Sequence, residues 1–277
     1  MIRSILVALD DTPGAVAARD MAIALARRTG ASLSAATVLD WPHARDLNEA
    51  VPPGAAAFKE RRDAARTLRL EQEAEAAFAA CAAAAGETPF TRLRLTDAPE
   101  PALLAAGATH DLIVIGRDST LGLEENPDGV APVIEALLHD GARPLLVVPP
   151  GPLPGAGAVL VGYDGSIPAM RTLQLFALLG LAEGARLRVL SVGESKDAAA
   201  RLAETGAAYL RQHGIEAEAL AVHGTHPVDA LLTEAAAMPA RMLVMGAFEH
   251  SGLRTLFTGS ATRKLLAAAP CPIFVAH

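Results

Sequence analysis

Hydrophobic residues fall along this chain in short, nearly unbroken runs, and between the runs they return at helical spacing. In the second half the runs Val159–Tyr163, Leu187–Val192, Ala217–Val222, Met242–Met245 and Ile273–Ala276 read as strands. The stretches Pro168–Leu181, Ala198–His213, Val228–Ala237 and Ala261–Ala268 read as the helices between them. Strands that are apolar throughout, rather than at alternate positions, are buried on both faces. Their alternation with helices predicts an α/β fold, a mainly parallel sheet with helices on both sides. The first half follows the same order. Its second helix is long, about Ala55 to Ala85, and its apolar stripe is weak because alanine stands nearly everywhere.

The segment PPGPLPGAG, residues 149–157, is too rich in proline and glycine for a helix or a central strand, and it divides the chain. The two parts, 1–149 and 156–277, are repeats of one another. ILVALDDTPGAVAARDMAIALARRTGASLSAATVLD from Ile5 parallels VLVGYDGSIPAMRTLQLFALLGLAEGARLRVLSVGE from Val159. At an offset of 154, Asp10 matches Asp164, Gly30 matches Gly184 and Val38 matches Val192. Further on, Gly116 matches Gly246 and Gly129 matches Gly259 at an offset of 130. The first half therefore carries about 24 extra residues, which fall between Leu39 and Phe90. A lid over the first site and a dimer contact are both open roles for the segment from Trp41 to Ala57.

Composition narrows the function. Of the 277 residues, 51% are hydrophobic but only 4% aromatic, so the core is built of Ala, Leu and Val. A formal net charge of −7 argues against a broad nucleic-acid surface, which needs clustered Lys and Arg. No apolar run reaches the roughly 18 residues needed to cross a bilayer. The N-terminal residues enter a strand pattern directly, without a signal-peptide core or cleavage site. Only Cys81 and Cys271 are present, without zinc or pairing spacing. A cytoplasmic protein with reduced thiols is expected.

Ligands of open parallel sheets bind beyond the carboxyl ends of the strands. That rule selects Asp10-Asp11-Thr12 and Asp164-Gly165-Ser166 after the first strands, Leu39 and Gly193 after the second, and Gly116 and Gly246 after the fourth. The stretch GAFEHSGLRTLFTGS, residues 246–260, leaves a strand on one glycine and enters a helix through Gly259-Ser260. Taken singly, Asp-Gly-Ser is an ordinary turn and cap, and Gly-Ser an ordinary helix entry. Together, GYDGS and this loop resemble the universal stress protein family, whose first strand ends in Asp-Gly-Ser. In that family the fourth strand leads into Gly-x-x-Gly, nine residues and Gly-Ser. Glu249 stands where the second glycine is expected. The closing APCPIFVAH is also similar, and the likeness covers each half once.

The resemblance implies two tandem flavodoxin-like (adenine nucleotide alpha hydrolase-like) domains, each a five-stranded mainly parallel sheet, paired within the chain as a pseudo-dimer. A homodimer of such chains stays open. It implies an adenine nucleotide, ATP, ADP or AMP, in the second domain. Asp164 would sit beside the adenosine and the Val192 backbone at the adenine edge. Gly246 would let the chain pass the ribose and phosphates. Gly259, Ser260 and Ala261 would offer N–H groups to the phosphates at a helix start. His250 stands in the phosphate-side loop, as a solvated residue or a proton donor near neutral pH, and Arg254 is placed to do the same. A carboxylate at Glu249 should repel polyphosphate, so the site is expected to prefer AMP or ADP, or to need Mg²⁺ for ATP.

The first half reads as a degenerate copy of that site, at Asp10, Val38, Gly116 and Gly129. Its loop, GRDSTLGLEENPDGVAP, has Val130 in place of the serine. It brings Asp118, Glu124, Glu125 and Asp128 to the phosphate position, with Arg117 the one opposing charge. Asp10-Asp11, with Asp97, also suggests a phospho-acceptor receiver domain, but LLVVPP provides no lysine after the fifth strand. His223 and His226 lack a third metal ligand at a suggestive spacing, and no metal site is expected. Cys81 and Cys271 read as packed apolar groups. No P-loop, nucleophile elbow or Rossmann fingerprint occurs, and no nucleophile–base pair stands out. A binding or regulatory protein is expected, the alternatives being a nucleotide-free interaction protein and a slow ATP-hydrolysing or adenylyl-transferring enzyme.

Overall fold

The computed structural model describes residues 1–41, 52, 54–123, 127–153, 155, 157–238, 240–247 and 260–277. The first half contributes β1 (Ser4–Ala8), α1 (Pro13–Thr29), β2 (Ser32–Val38), α2 (Ala56–Ala85), β3 (Phe90–Leu95), α3 (Pro99–Gly107), β4 (Leu112–Gly116), α4 (Pro132–Asp140) and β5 (Leu145–Val148). The second contributes β6 (Val159–Gly162), α5 (Ile167–Leu178), β7 (Leu187–Gly193), α6 (Lys196–Gln212), β8 (Ala217–His223), α7 (Pro227–Ala237), β9 (Met242–Gly246), α8 (Ser260–Ala268) and β10 (Ile273–Ala276). The elements read from the apolar pattern are all present. Most boundaries shift by a residue or two, and the largest difference is that the helix read to Leu181 stops at Leu178. Gly180 takes φ 73°, which ends the helix, while Leu181 is still buried at the end of the turn.

The ten strands form one sheet, ordered β3-β2-β1-β4-β5-β10-β9-β6-β7-β8. Within each half every pairing is parallel. The halves meet where β5 pairs antiparallel with β10, Leu146 opposite Phe274. In each half the first strand neighbours the second and the fourth, rather than the second and the third as in flavodoxin itself, so the switch point lies between β1 and β4, and between β6 and β9. One face of the sheet is covered by α1, α2, α5 and α6, with Ile23, Phe78, Phe176 and Leu210 in its core. The other is covered by α3, α4, α7 and α8, around Leu103, Ile134, Leu231 and Leu265.

The joint is apolar because β5 and β10 are interior strands, buried at every position. Phe274 stacks edge-on against Phe176, ring centroids 5.5 Å apart, under the centre of the sheet. The outermost strand β3 instead alternates, and its Arg92 and Arg94 face Glu75 of α2. Cys81 and Cys271 are buried as packed groups. Burial pushes both thiols up, Cys271 to about 11. No helix among the described residues is long and apolar enough to cross a membrane.

Candidate functional site

At the carboxyl edge of the first half the chain satisfies its own polar groups. Asp10, just past β1, accepts from the Thr12 N–H at 3.0 Å and the Thr12 hydroxyl at 2.7 Å. Its other oxygen accepts from the Leu121 N–H at 3.1 Å. That bond holds the loop after β4 across the strand end, with Leu121 buried at φ 50°. Asp118 accepts from the Gly14 N–H at 2.9 Å, so a carboxylate already sits on the first turn of α1. Val130 is buried in the core where the second repeat has Ser260.

The cations of this region serve the joint between halves. Arg117, expected to face a phosphate, instead donates to the Ala269 carbonyl at 3.1 Å, just past the end of α8. A guanidinium is favoured there by the helix dipole. Arg263, in the first turn of α8, reaches back to both Asp128 and Glu135 of the first half. The hydrogen bond from Arg263 holds the Asp128 carboxyl below its usual range against the opposing effect of burial, and the same bond raises the guanidinium. A depressed carboxylate contributes stability in full above its unfolded value of about 4, and loses it as pH falls through the lower folded value. Asp128→Asn should therefore lower the melting temperature at pH 7 and cost progressively less as the pH is brought down through the lowered folded value, where the native carboxyl is itself protonated. An equal loss at every pH would mean that charge pairing is not what Asp128 supplies.

The second half is less occupied among the described residues. Asp164 is exposed past β6 and accepts from the Ser166 N–H at 2.9 Å. Gly165 takes φ 78° and Ser166 caps α5. Val192, next to last in β7, is half-buried, and the carbonyl of Gly193 at the strand end accepts from the Gly224 N–H at 3.0 Å. Burial, helped by the neighbouring Asp164, raises the phenol of Tyr163. Gly246 closes β9, and α8 opens at Ser260-Ala261 on the far side of the loop. Glu249, His250, Arg254 and Gly259 lie outside the described residues, as does most of the segment from Trp41 to Ala57.

The two strand-end glycines have a reason the sequence did not show. A Cβ at Gly246 would stand 2.5 Å from the Pro168 carbonyl carbon, and one at Gly116 the same distance from that of Gly14, with the next backbone nitrogen nearer still. The first turns of α5 and α1 thus press directly on β9 and β4. A close passage of the chain itself is sufficient to require glycine there.

The universal stress protein family model matches residues 1–149 and again 156–277. The chain belongs to the universal stress protein family. A universal stress protein of Thermus aquaticus is 30% identical over 42% of this chain and 96% of its own. The crystal structure of a universal stress protein from Archaeoglobus fulgidus covers 99% of this chain and 95% of its own, with TM-score 0.69 and 20% identity, a likeness of fold. Another from Archaeoglobus fulgidus, solved in complex with dAMP, matches 43% of this chain and 97% of its own at TM-score 0.36 and 24% identity. That likeness is too low to transfer its ligand here.

Placed in this family's frame, several residues sort themselves. Asp97 follows β3, with β2 between it and Asp10, so the carboxylate trio of a receiver domain is not assembled. His223, the last residue of β8, and His226 beyond it are exposed, and the His226 ring lies 3.0 Å from the Thr225 hydroxyl. Arg263 escaped notice in the sequence because its partners lie in the other half and no local period marks them. Thr37 also escaped. Its only signal is a hydroxyl repeated inside an apolar strand, matched by Ser191 at the offset of 154.

Proposed function

We propose that this universal stress protein binds an adenine nucleotide in its second half and acts as a cytoplasmic stress-response or regulatory protein rather than through turnover. The observation that supports this most is the contrast in how the two halves use equivalent groups. In the first, Asp10 fastens a loop, Asp118 covers the start of α1, and Asp128 is held by Arg263. In the second, Asp164 is exposed and α8 begins at Ser260. A helix start presents unpaired N–H groups and a positive dipole end to an anion. On this reading Asp164 and the Val192 backbone meet the nucleoside. Gly259, Ser260 and Ala261 meet the phosphates, with Glu249 and His250 beside them and Mg²⁺ accompanying ATP.

Denaturing the purified protein and assaying the supernatant for released AMP, ADP and ATP tests the reading, together with a structure grown with AMP. Nucleotide density between Asp164 and Ser260 is expected. Density only beside Asp10 and Gly116, or no binding of added AMP, would overturn it.

A further inference from the structure

We propose that the first half carries a second kind of site, a cleft for a small organic cation: a primary ammonium group on an apolar body. The cleft, of about 530 Å³, lies between the carboxyl ends of β1 and β2 and the overlying helix α2. It exists because α2 presents alanines there, among them Ala74, Ala77 and Ala80. The second half shows how the same space is otherwise used. Leu9 corresponds to Tyr163, whose ring lies against Gly206 of α6.

Two observations point to the ligand. The first is Thr37. Its side chain lines the cleft, is 3% exposed, and its hydroxyl has no hydrogen-bond partner. A buried, unpaired hydroxyl costs stability that a ligand can return. Its counterpart Ser191, equally buried, donates to the Tyr163 carbonyl at 2.5 Å. The second is charge. Asp10, Asp11 and Glu73 line the cleft, against the single cation Arg19. Arg19 is already bonded to Asp20, 2.8 Å from its Nε. Among the described residues Asp11 and Glu73 have no ion-pair partner. An ammonium group brings three donors and no acceptor, which suits carboxylates and a hydroxyl. A phosphate would meet three carboxylates against one guanidinium that is already paired. The apolar walls, Leu70 and Leu121 with the alanines, suit a hydrocarbon body.

The test uses three probes of one shape and different charge, hexylammonium, 1-hexanol and hexanoate, with phenethylammonium as a second cation. Binding to the full chain is followed by ligand-observed NMR and calorimetry. Saturable binding of at least one of the two ammonium probes is expected, with hexanol weaker and hexanoate not bound. The double variant Asp11→Asn, Glu73→Gln should weaken the ammonium by about tenfold or more, because each loses a charge-assisted partner. Thr37→Val, which keeps the shape, should weaken it several-fold without lowering the melting temperature. Binding of hexanoate as tight as hexylammonium, or unaltered affinity in the folded double variant, overturns the proposal. So does failure of both ammonium probes to bind the native protein. The nucleotide reading of the second half stands or falls separately.

Discussion

Gly246→Ala should cost the chain about 3 kcal/mol or more of stability, seen as a lowered midpoint in equilibrium urea denaturation. The added methyl meets backbone, the Pro168 carbonyl carbon at 2.5 Å, not the yielding end of a side chain. Overpacking a core usually costs about 1–3 kcal/mol, and a backbone obstacle lies at or above the top of that range. Gly116→Ala, whose methyl would meet Gly14 at the same distance, should behave alike. The pair separates two explanations of these glycines. If Gly246→Ala loses nucleotide while its urea midpoint stays within error of the parent, the glycine serves the ligand and not the helix contact.

Ser260→Asp should abolish nucleotide binding while leaving the fold intact. The substitution sets a carboxylate at the opening residue of α8. At about 5 Å from a phosphate, with an effective dielectric of about 20, repulsion is about 3 kcal/mol per phosphate charge. That is roughly a hundredfold in affinity. The helix itself tolerates the change, since Asp is a good cap and a negative charge near a helix start is favourable. Calorimetry with AMP and ATP, alongside a melting curve, reads both parts. Unchanged affinity would place the phosphates elsewhere.

The fold was legible because its strands are interior. β1, β4, β5 and β10 are buried at nearly every position, so they appear as unbroken apolar runs. Proline and Thr or Ser mark where α1 and α5 begin. Even the joint left a trace, for an exposed edge strand would carry charges that β5 and β10 lack. The site was legible only as positions. The offset of 154 correctly paired Asp10 with Asp164, but not that one carboxylate fastens a loop while the other faces solvent. Arg117 and Arg263 were unreadable for a different reason. Their partners depend on which surfaces the two halves bring together, and one sequence carries no periodic signal of that.

The placing of β10 between β5 and β9 has a consequence for synthesis. The last strand of the sheet is also the one that covers the inner edge of the first half. Leu145–Val148 is made about 125 residues before Ile273 arrives to pair with it. At about 5–20 residues per second, that apolar edge waits roughly 6–25 s on the ribosome. During that interval the nascent chain displays an open row of backbone donors and acceptors, the surface on which two such chains on one message would join.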